Sequence, residues 1–554
     1  MEKPWLKFYE PGIPEEIDIP NIPLHQLLEK AAADFPDSTS CIFLGNERTY
    51  RQVNDDANRL AAALNKIGVK QGDVVALLLG NMPQFPVAFF GALKAGAILT
   101  LVNPLYQPPE IQFQLTDSGA KAIIVIDIMH DNYAKIRENT PVKHTIVTTM
   151  ADAFPGMRVS FQLPDVEGYH LYGELLEKTE PKPPKINIDP KETPAVLQYT
   201  GGTTGLPKGA ILTHRNLVAN AHQCASWIPF VKRGERRPTL AVLPFFHVFG
   251  LTVALLNTTL LAGPIILHPR PDFDQILRDI PKYKVEFFPG VPTIYAALIN
   301  RPDIEEHDLS SVTACLSGAA PLPMAVAKRF EEMASANLVE GYGLTEASPV
   351  THCNPIQEKP PFTKKREGSI GVPMPSTMAK IVDLDTGTKD LPPGQTGELV
   401  IKGPQVMKGY WNRPEETAHQ IRDGWLFTGD IAKMDEDGYF YIVDRAKQMI
   451  DRAGFKVYPR TVEEVLFEHP KVADSAVIGI PDGLRGETVM AFVVVKKGET
   501  VTVDELKAWC KERLAYYKRP EFYEFRDELP KSMVGKTLRR VLQEEWLEKQ
   551  GTRK

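Results

Sequence analysis

A multi-layer α/β fold is what the sequence predicts: a large N-terminal domain of α/β layers plus a β-rich subdomain, then a small α+β domain at the C-terminal end. Three observations predict it. Through residue 341, apolar runs of strand length alternate with segments of helical spacing, as stacked α/β layers require. From 350 to 440 the texture turns to alternating segments such as 397–401 and 439–443, broken by turn signals at Pro392, Pro393, Gly394, Asp437 and Gly438, which indicate antiparallel β structure. From Asp444 short strands mix again with helices, over a length of ordinary domain size. At 554 residues the chain exceeds one hydrophobic core and calls for roughly two to four domains.

Taken in order, residues 24–35 read as a helix, 40–44 as a strand, 53–67 as a helix (Leu60, Leu64, Ile67) and 74–79 as a buried strand. A helix at 85–94 and apolar runs at 97–102 and 122–126 follow, and 150–192 is Pro-marked loop. Beyond it strands are expected at 240–243, 265–267, 285–288 and 313–317. Helices are expected from near 215 and at 250–261, 274–283, 293–300 and 325–333. The last part carries helices at 463–467, 503–513 and 538–547, with strands at 472–478 and 490–495.

Bulk properties exclude several classes. A net charge of −6 gives no electrostatic footprint for nucleic acid. The cysteines, at 41, 224, 315, 353 and 510, are odd in number and form no CxxC pair, so reduced thiols in a cytoplasmic protein are expected. The opening MEKPWLKFYEPG lacks the apolar core of a signal peptide. The most apolar stretches are short or interrupted by Lys94, Asn257 or Pro264, so no membrane span is expected.

Five stretches carry chemistry. Residues 199–209, YTGGTTGLPKG, put Gly, Thr and Lys together after an apolar run. Gly lets backbone close around an anion, Thr adds hydroxyls, and Lys208 adds a mobile positive charge. This is a phosphate holder, or else a surface hairpin. A Walker A loop is ruled out because Pro207 precedes Lys208 and Gly209 follows it. Residues 339–346, VEGYGLTE, combine a GxG turn, an aromatic face and the oxygen donors Thr345 and Glu346, and a single Glu suffices for nucleotide-borne magnesium. WLFTGD at 425–430, with Asp444 and Arg445 beyond, offers a carboxylate and an Arg for ribose hydroxyls. LPKSMVGKTLRR at 529–540 presents Lys536 after Gly535, and LPFFHVFG at 243–250 sets His247 in an apolar, aromatic lining suited to an acyl chain. Alone, the charged stretches read first as solvated surface and His247 as a core histidine.

In this order, and over essentially the whole chain, the motifs closely resemble the adenylate-forming superfamily of acyl-CoA synthetases, luciferases and peptide-synthetase adenylation domains. NPLYQPPEI, GPQVMKGYW and FRDELPKSMVGK look most like bacterial long-chain fatty-acid–CoA ligases. The resemblance implies that Thr200, Gly201, Gly202, Thr203, Thr204, Gly205 and Lys208 hold the β- and γ-phosphates of ATP, and that Thr200 and Glu346 contact Mg²⁺. It puts Tyr342 on adenine, with Ser317, Gly318, Ala319, Gly341, Gly343 and Thr345 also in the ATP/AMP site and Asp430 and Arg445 on ribose. His247 would sit beside the substrate carboxylate, with Val248, Phe249, Leu251 and Val291 in the acyl pocket. Lys536 would bridge carboxylate and α-phosphate, and the catalytic set would be Lys536, Glu346, Thr200, Lys208 and His247. The implied domains are 1–443, a hinge at 444–450 containing Lys447, and a mobile domain at 451–554 whose Gly454 approaches CoA.

The implied reaction joins a fatty acid to CoA through acyl-AMP, releasing pyrophosphate and then AMP. A medium-chain or aryl acid, coumarate-like, is the alternative substrate, and a nucleotide-binding regulatory protein without turnover the alternative class. A membrane surface at the periphery and a homodimer remain open as partners. Three departures stand out: Gly202 where many relatives have Ser, Asp451, Arg452 and Ala453 ahead of Gly454, and Leu251 where some long-chain members carry a Trp gate.

Overall fold

The computed structural model describes residues 2–154, 157, 161–200, 207–445, 448–452, 455–482, 486–532 and 535–551. The chain packs as two compact units. Trp5–Met378 and Lys402–Leu426 form the large one, and the other takes in Ala379–Ile401 and the chain from Phe427 onward.

The large unit is built on an eight-stranded sheet. Its parallel part runs Pro194–Thr200, Ile98–Leu101, Val74–Leu78, Ala120–Ile126, His144–Thr148, Tyr169–Leu171. Val74–Leu78 (VVALL) is buried at every position, as a strand covered on both faces must be. One face is packed by Ala76, Leu78, Ile123, Val125, Leu197 and Tyr199. Tyr50–Lys66 starts with a Thr49–Gln52 capping box and crosses Gln84–Lys94 so closely that a Cβ on Gly91 would stand 3.0 Å from the Ala57 carbonyl oxygen.

At one edge the sheet turns antiparallel. Lys208–Thr213 pairs back on Pro194–Thr200, and Gly409–Tyr410 pairs on Lys208–Thr213. The sequence reads this region as a loop running toward a helix. The strand forms because Gly409–Tyr410, far away in sequence, supplies its second set of hydrogen bonds.

A second layer holds Thr239–Ala241, Ile265–Leu267 and Thr39–Phe43 in parallel, with Asn46–Thr49 antiparallel. Single bridges at Phe287 link Thr239 to Ala314. The strand expected at 285–288 is thus reduced to bridges, with Pro289 unable to donate to a ladder beyond it. Ala314–Ser317 continues in parallel to Asn337–Gly343, then antiparallel to Val350–Cys353 and Val372–Pro373. The expected GxG turn is therefore the end of a strand. A Cβ on Gly343 would lie 2.2 Å from the Pro349 carbonyl oxygen, so these glycines serve close strand packing. The expected helix at 250–261 opens as a π-helical turn, Gly250–Leu256, before Asn257–Leu261 becomes regular. π-turns often mark functional segments.

The other unit contains a sheet in the order Met378–Val382, Thr396–Lys402, Trp425–Met434, with Phe440–Arg445 paired antiparallel on the last. Its α+β part has Val472–Asp482 and Gly486–Val495 antiparallel, and Phe522–Arg526 parallel to the latter. Strand alternation divides the apolar residues between two helix layers. Val477, Val489, Ala491 and Val493 meet Val462, Leu466, Leu506 and Cys510 of Pro459–Phe467 and Val503–Arg513. Ala476, Ile478, Met490 and Phe492 meet Leu542 of Arg539–Gly551. Among the described residues no helix is long and apolar enough to cross a membrane.

Candidate active site

The described ends of the phosphate stretch lie on the paired edge strands. Thr200 ends one strand and Lys208 begins the next, directly opposite it. Gly201, Gly202, Thr203, Thr204 and Gly205 lie outside the described residues, as do Lys447 and Gly454. The described flanks of the stretch are held firmly. The Tyr199 ring covers Gly209, where a Cβ would stand 3.1 Å away. Its hydroxyl donates to Asp117 Oδ2 at 2.6 Å, and Arg413 Nη2 reaches Asp117 Oδ1 at 2.8 Å. Burial, reinforced by the Asp117 carboxylate, raises the Tyr199 phenol far above its ordinary range, so it remains a donor.

Lys208 and Glu346, far apart in sequence, meet on one aromatic ring. Lys208 Nζ lies 5.4 Å from the centre of the Tyr410 ring, and the Tyr410 hydroxyl donates to Glu346 Oε1 at 2.8 Å. Glu346 sits in the single 3₁₀ turn Thr345–Ala347, and its carbonyl accepts from Met407 N at 2.7 Å. The ion-pair partner of Lys208 is Glu416, at 3.8 Å. Sequence reasoning assigned Tyr410, Asp117 and Arg413 no role. For Tyr410 the available signal was its place in GPQVMKGYW, a motif matched to relatives without a reason for its tyrosine.

The donor set fits nucleotide-borne magnesium. One carboxylate, with a single oxygen engaged by Tyr410, stands beside the hairpin. Magnesium on a triphosphate takes one or two protein carboxylates and fills its remaining positions from phosphate and water. Among the described residues no group of three or more His, Cys, Asp or Glu could hold a metal by itself.

The strand end Ala314–Ser317 lies beside the end of Asn337–Gly343. Ser317 is fully buried, and its Oγ finds no partner among the described residues. Gly318 follows beneath the Phe249 ring, where a Cβ would stand 3.0 Å from Phe249 Cε1, and Ala319 adopts a left-handed φ of 68°. Such backbone is uncommon without glycine and gathers at ligand sites. Tyr342 is half-buried and pairs across the strands with His352, the rings 6.0 Å apart at 66°. Burial lowers His352 to about 3, so it stays neutral beside the candidate stacking ring.

The acyl candidates adjoin this turn. His247 is half-buried and accepts from Phe249 N through Nδ1 at 3.2 Å, while Val248, Phe249, Leu251 and Val291 are buried. Val291 follows Gly290, which pairs with Ser317. Behind lies an apolar cavity of about 50 Å³, lined among others by Val253, Pro289, Leu316, Cys224, Trp227 and Met374. Leu316 is its wall toward the base side, since its Cδ1 lies 2.7 Å from where a Gly341 Cβ would be.

In the other unit Asp430 and Arg445 face each other across Trp425–Met434 and Phe440–Arg445. Arg445 Nε is 3.1 Å from Asp430 Oδ1. The Asp430 side chain is 5 % exposed and that of Arg445 40 %, which leaves guanidinium surface accessible. Lys536 is half-buried in a turn where Ser532 N donates to its carbonyl at 2.8 Å and its own N–H donates to Ser532 Oγ at 3.2 Å. Gly535, at φ 72°, makes the turn possible.

The family model described as AMP-binding enzyme matches residues 28–411, and the AMP-binding enzyme C-terminal domain matches 461–536. A long-chain-fatty-acid–CoA ligase of Bacillus subtilis (strain 168) is 46% identical over 98% of both chains. Among solved structures, an anthranilate CoA ligase in complex with anthranoyl-AMP superposes with a TM-score of 0.83 at 29% identity, covering 95% of this chain and 98% of that one. The O-succinylbenzoate coenzyme A synthetase of Bacillus subtilis, in complex with ATP and magnesium ion, gives 0.78 at 28% identity, over 94% and 99%. This chain belongs to the AMP-binding enzyme family, within the adenylate-forming superfamily.

Proposed function

We propose that the protein is an ATP-dependent fatty acid–CoA ligase acting on long-chain acids. It converts the carboxylate to acyl-AMP with release of pyrophosphate, then transfers the acyl group to the thiol of CoA with release of AMP. One observation carries the reading: near-full-length identity of 46% to a ligase of that name.

The residues divide the work as follows. Thr200, Gly201, Gly202, Thr203, Thr204 and Gly205, with Lys208, receive the β- and γ-phosphates. Tyr342 stacks on adenine beside Ser317, Gly318, Ala319 and Gly341, with Gly343 and Thr345 adjoining, and Asp430 and Arg445 bind ribose. Thr200 and Glu346 hold magnesium, which supplies positive charge to the triphosphate and its developing pyrophosphate. His247 meets the carboxylate, and Val248, Phe249, Leu251 and Val291 line the acyl entry. Lys536 bridges carboxylate and α-phosphate.

Charge explains this set. A carboxylate approaching the α-phosphate meets a like charge, and two charges 4 Å apart repel by about 4 kcal/mol at an intermediate effective dielectric. Lys208 and Lys536 offset that repulsion as the new P–O bond forms. Lys536 belongs to the first half-reaction, Gly454 to the approach of CoA in the second, and Lys447 to the hinge between them.

Acid-dependent ATP–pyrophosphate exchange over C6 to C18 fatty acids and an aryl acid, with and without CoA, tests the proposal. Exchange rising toward long chains is expected. An optimum on the aryl acid would move the chain to the alternative substrate class, of which the anthranilate ligase is a structural neighbour. Lys536→Ala is expected to lose exchange by about 10²- to 10³-fold and still convert supplied acyl-AMP to thioester. Equal loss of both steps would refute the division of labour. Peripheral association with a bilayer follows from a substrate that partitions there, and vesicle co-sedimentation with and without fatty acid checks it.

A further inference from the structure

We propose that Tyr410 is a positioning residue for Glu346, fixing the carboxylate so that one oxygen is presented to the divalent cation of the nucleotide. This rests on the reading of Glu346 as a magnesium ligand. The Tyr410 hydroxyl donates to Glu346 Oε1 at 2.8 Å, which leaves Oε2 available to a cation. Residues that ligate metals are commonly oriented by such outer partners.

Tyr410 is itself tightly held. It is 8% exposed and pairs with Ala210 of the hairpin, and its N–H donates to Thr417 Oγ1 at 2.8 Å. Neighbouring Gly409 has no room for a side chain, because a Cβ there would stand 2.6 Å from Thr417 Cγ2. The same short segment grips the Glu346 main chain through Met407 N. Both the backbone and the side chain of Glu346 are thus registered to the strand that pairs with the phosphate hairpin.

The ring has a second duty. Lys208 lies over its face while Glu346 accepts from its hydroxyl, so one side chain carries both the candidate phosphate cation and the candidate metal ligand. Lys208 pairs with Glu416 and leaves Glu346 to the cation. Removing the hydroxyl frees Glu346 to rotate, and the metal site loses its orientation before ATP loses its other contacts.

The test is Tyr410→Phe in the full chain, with Glu346→Gln as reference. Electron paramagnetic resonance of Mn²⁺ measures Mn²⁺·ATP binding, and calorimetry in chelator measures ATP without metal. The ratio of the two affinities in one preparation cancels any misfolded fraction. Tyr410→Phe is expected to weaken Mn²⁺·ATP by about ten- to a hundredfold with metal-free ATP unchanged, and raised Mg²⁺ is expected to restore exchange. An unchanged ratio in Tyr410→Phe, with Glu346→Gln weakened, overturns the positioning role alone. An unchanged ratio in Glu346→Gln overturns the magnesium reading beneath it as well.

Discussion

Two arginine–carboxylate pairs in the smaller unit look alike in sequence and are built for different ends. Arg539 grips Glu463 with two nitrogens, at 3.1 and 2.6 Å, and its third reaches Gln448 Oε1 at 2.6 Å. Glu463 also accepts from Val477 N at 2.7 Å. The side chains are 17% and 16% exposed, and the pair ties Pro459–Phe467 to the start of Arg539–Gly551. Arg445 and Asp430 share one contact, and the arginine stays open. A pair with every donor spent holds structure, whereas a pair with donors to spare can receive a ligand. The difference also divides LPKSMVGKTLRR: Arg539 in that motif is a clamp, and Lys536 is the candidate for chemistry.

The comparison is broken most severely at the clamp. Arg539→Met leaves Glu463 buried without its partner and is expected to cost about 3–5 kcal/mol, read by denaturant unfolding. Pairing it with Glu463→Gln is expected to recover part of that loss. A stable Arg539→Met with impaired adenylation would move Arg539 into the active site.

Arg445→Gln is expected to do the reverse. ATP affinity falls about tenfold, as for a lost hydrogen bond to a charged group, while unfolding moves by less than about 1 kcal/mol. Isothermal calorimetry and a melt on the same sample decide it. A drop in stability comparable with that of the clamp would erase the distinction.

An effect graded with pH sharpens the contrast from the large unit, which holds buried histidines neutral. Burial lowers His214 to about 3 and His25 to about 4, and His214 Nδ1 accepts from Leu24 N at 3.0 Å. Their folded values lie below the unfolded one, near 6.5, so the unfolded chain binds more protons once pH falls below it. Stability is full above about pH 6.5 and is lost as pH falls toward the folded values, by about 1.4 kcal/mol per pH unit for each histidine. His214→Asn, which keeps an acceptor that does not titrate, is expected to flatten the slope of melting temperature between pH 6.5 and 4.5. An unchanged slope would mean that His214 does not contribute.

Much of the fold was legible because its signals are local. Periodicity located Val74–Leu78, Thr39–Phe43, Phe273–Tyr283 and Val503–Arg513 to within a few residues. Lys208–Thr213 escaped notice in part because one of its two pairing partners, Gly409–Tyr410, lies about two hundred residues away. GYG read as a turn because glycine marks turns and close packing alike, and only contacts with Leu316 and Pro349 choose between them.

By itself the sequence determined the residue types available for chemistry: the Gly, Thr and Lys of the hairpin, the carboxylate of Glu346, and Lys536 after its glycine. These needed no structure, because phosphate, magnesium and carboxylate each demand particular side chains. Tertiary structure alone decided which charges are spent and which are free, and which ring brings Lys208 and Glu346 together. Burial and long-range pairing are properties of the assembled chain, and so Arg539 and Arg445, the same residue in sequence, became a clamp and a candidate ligand.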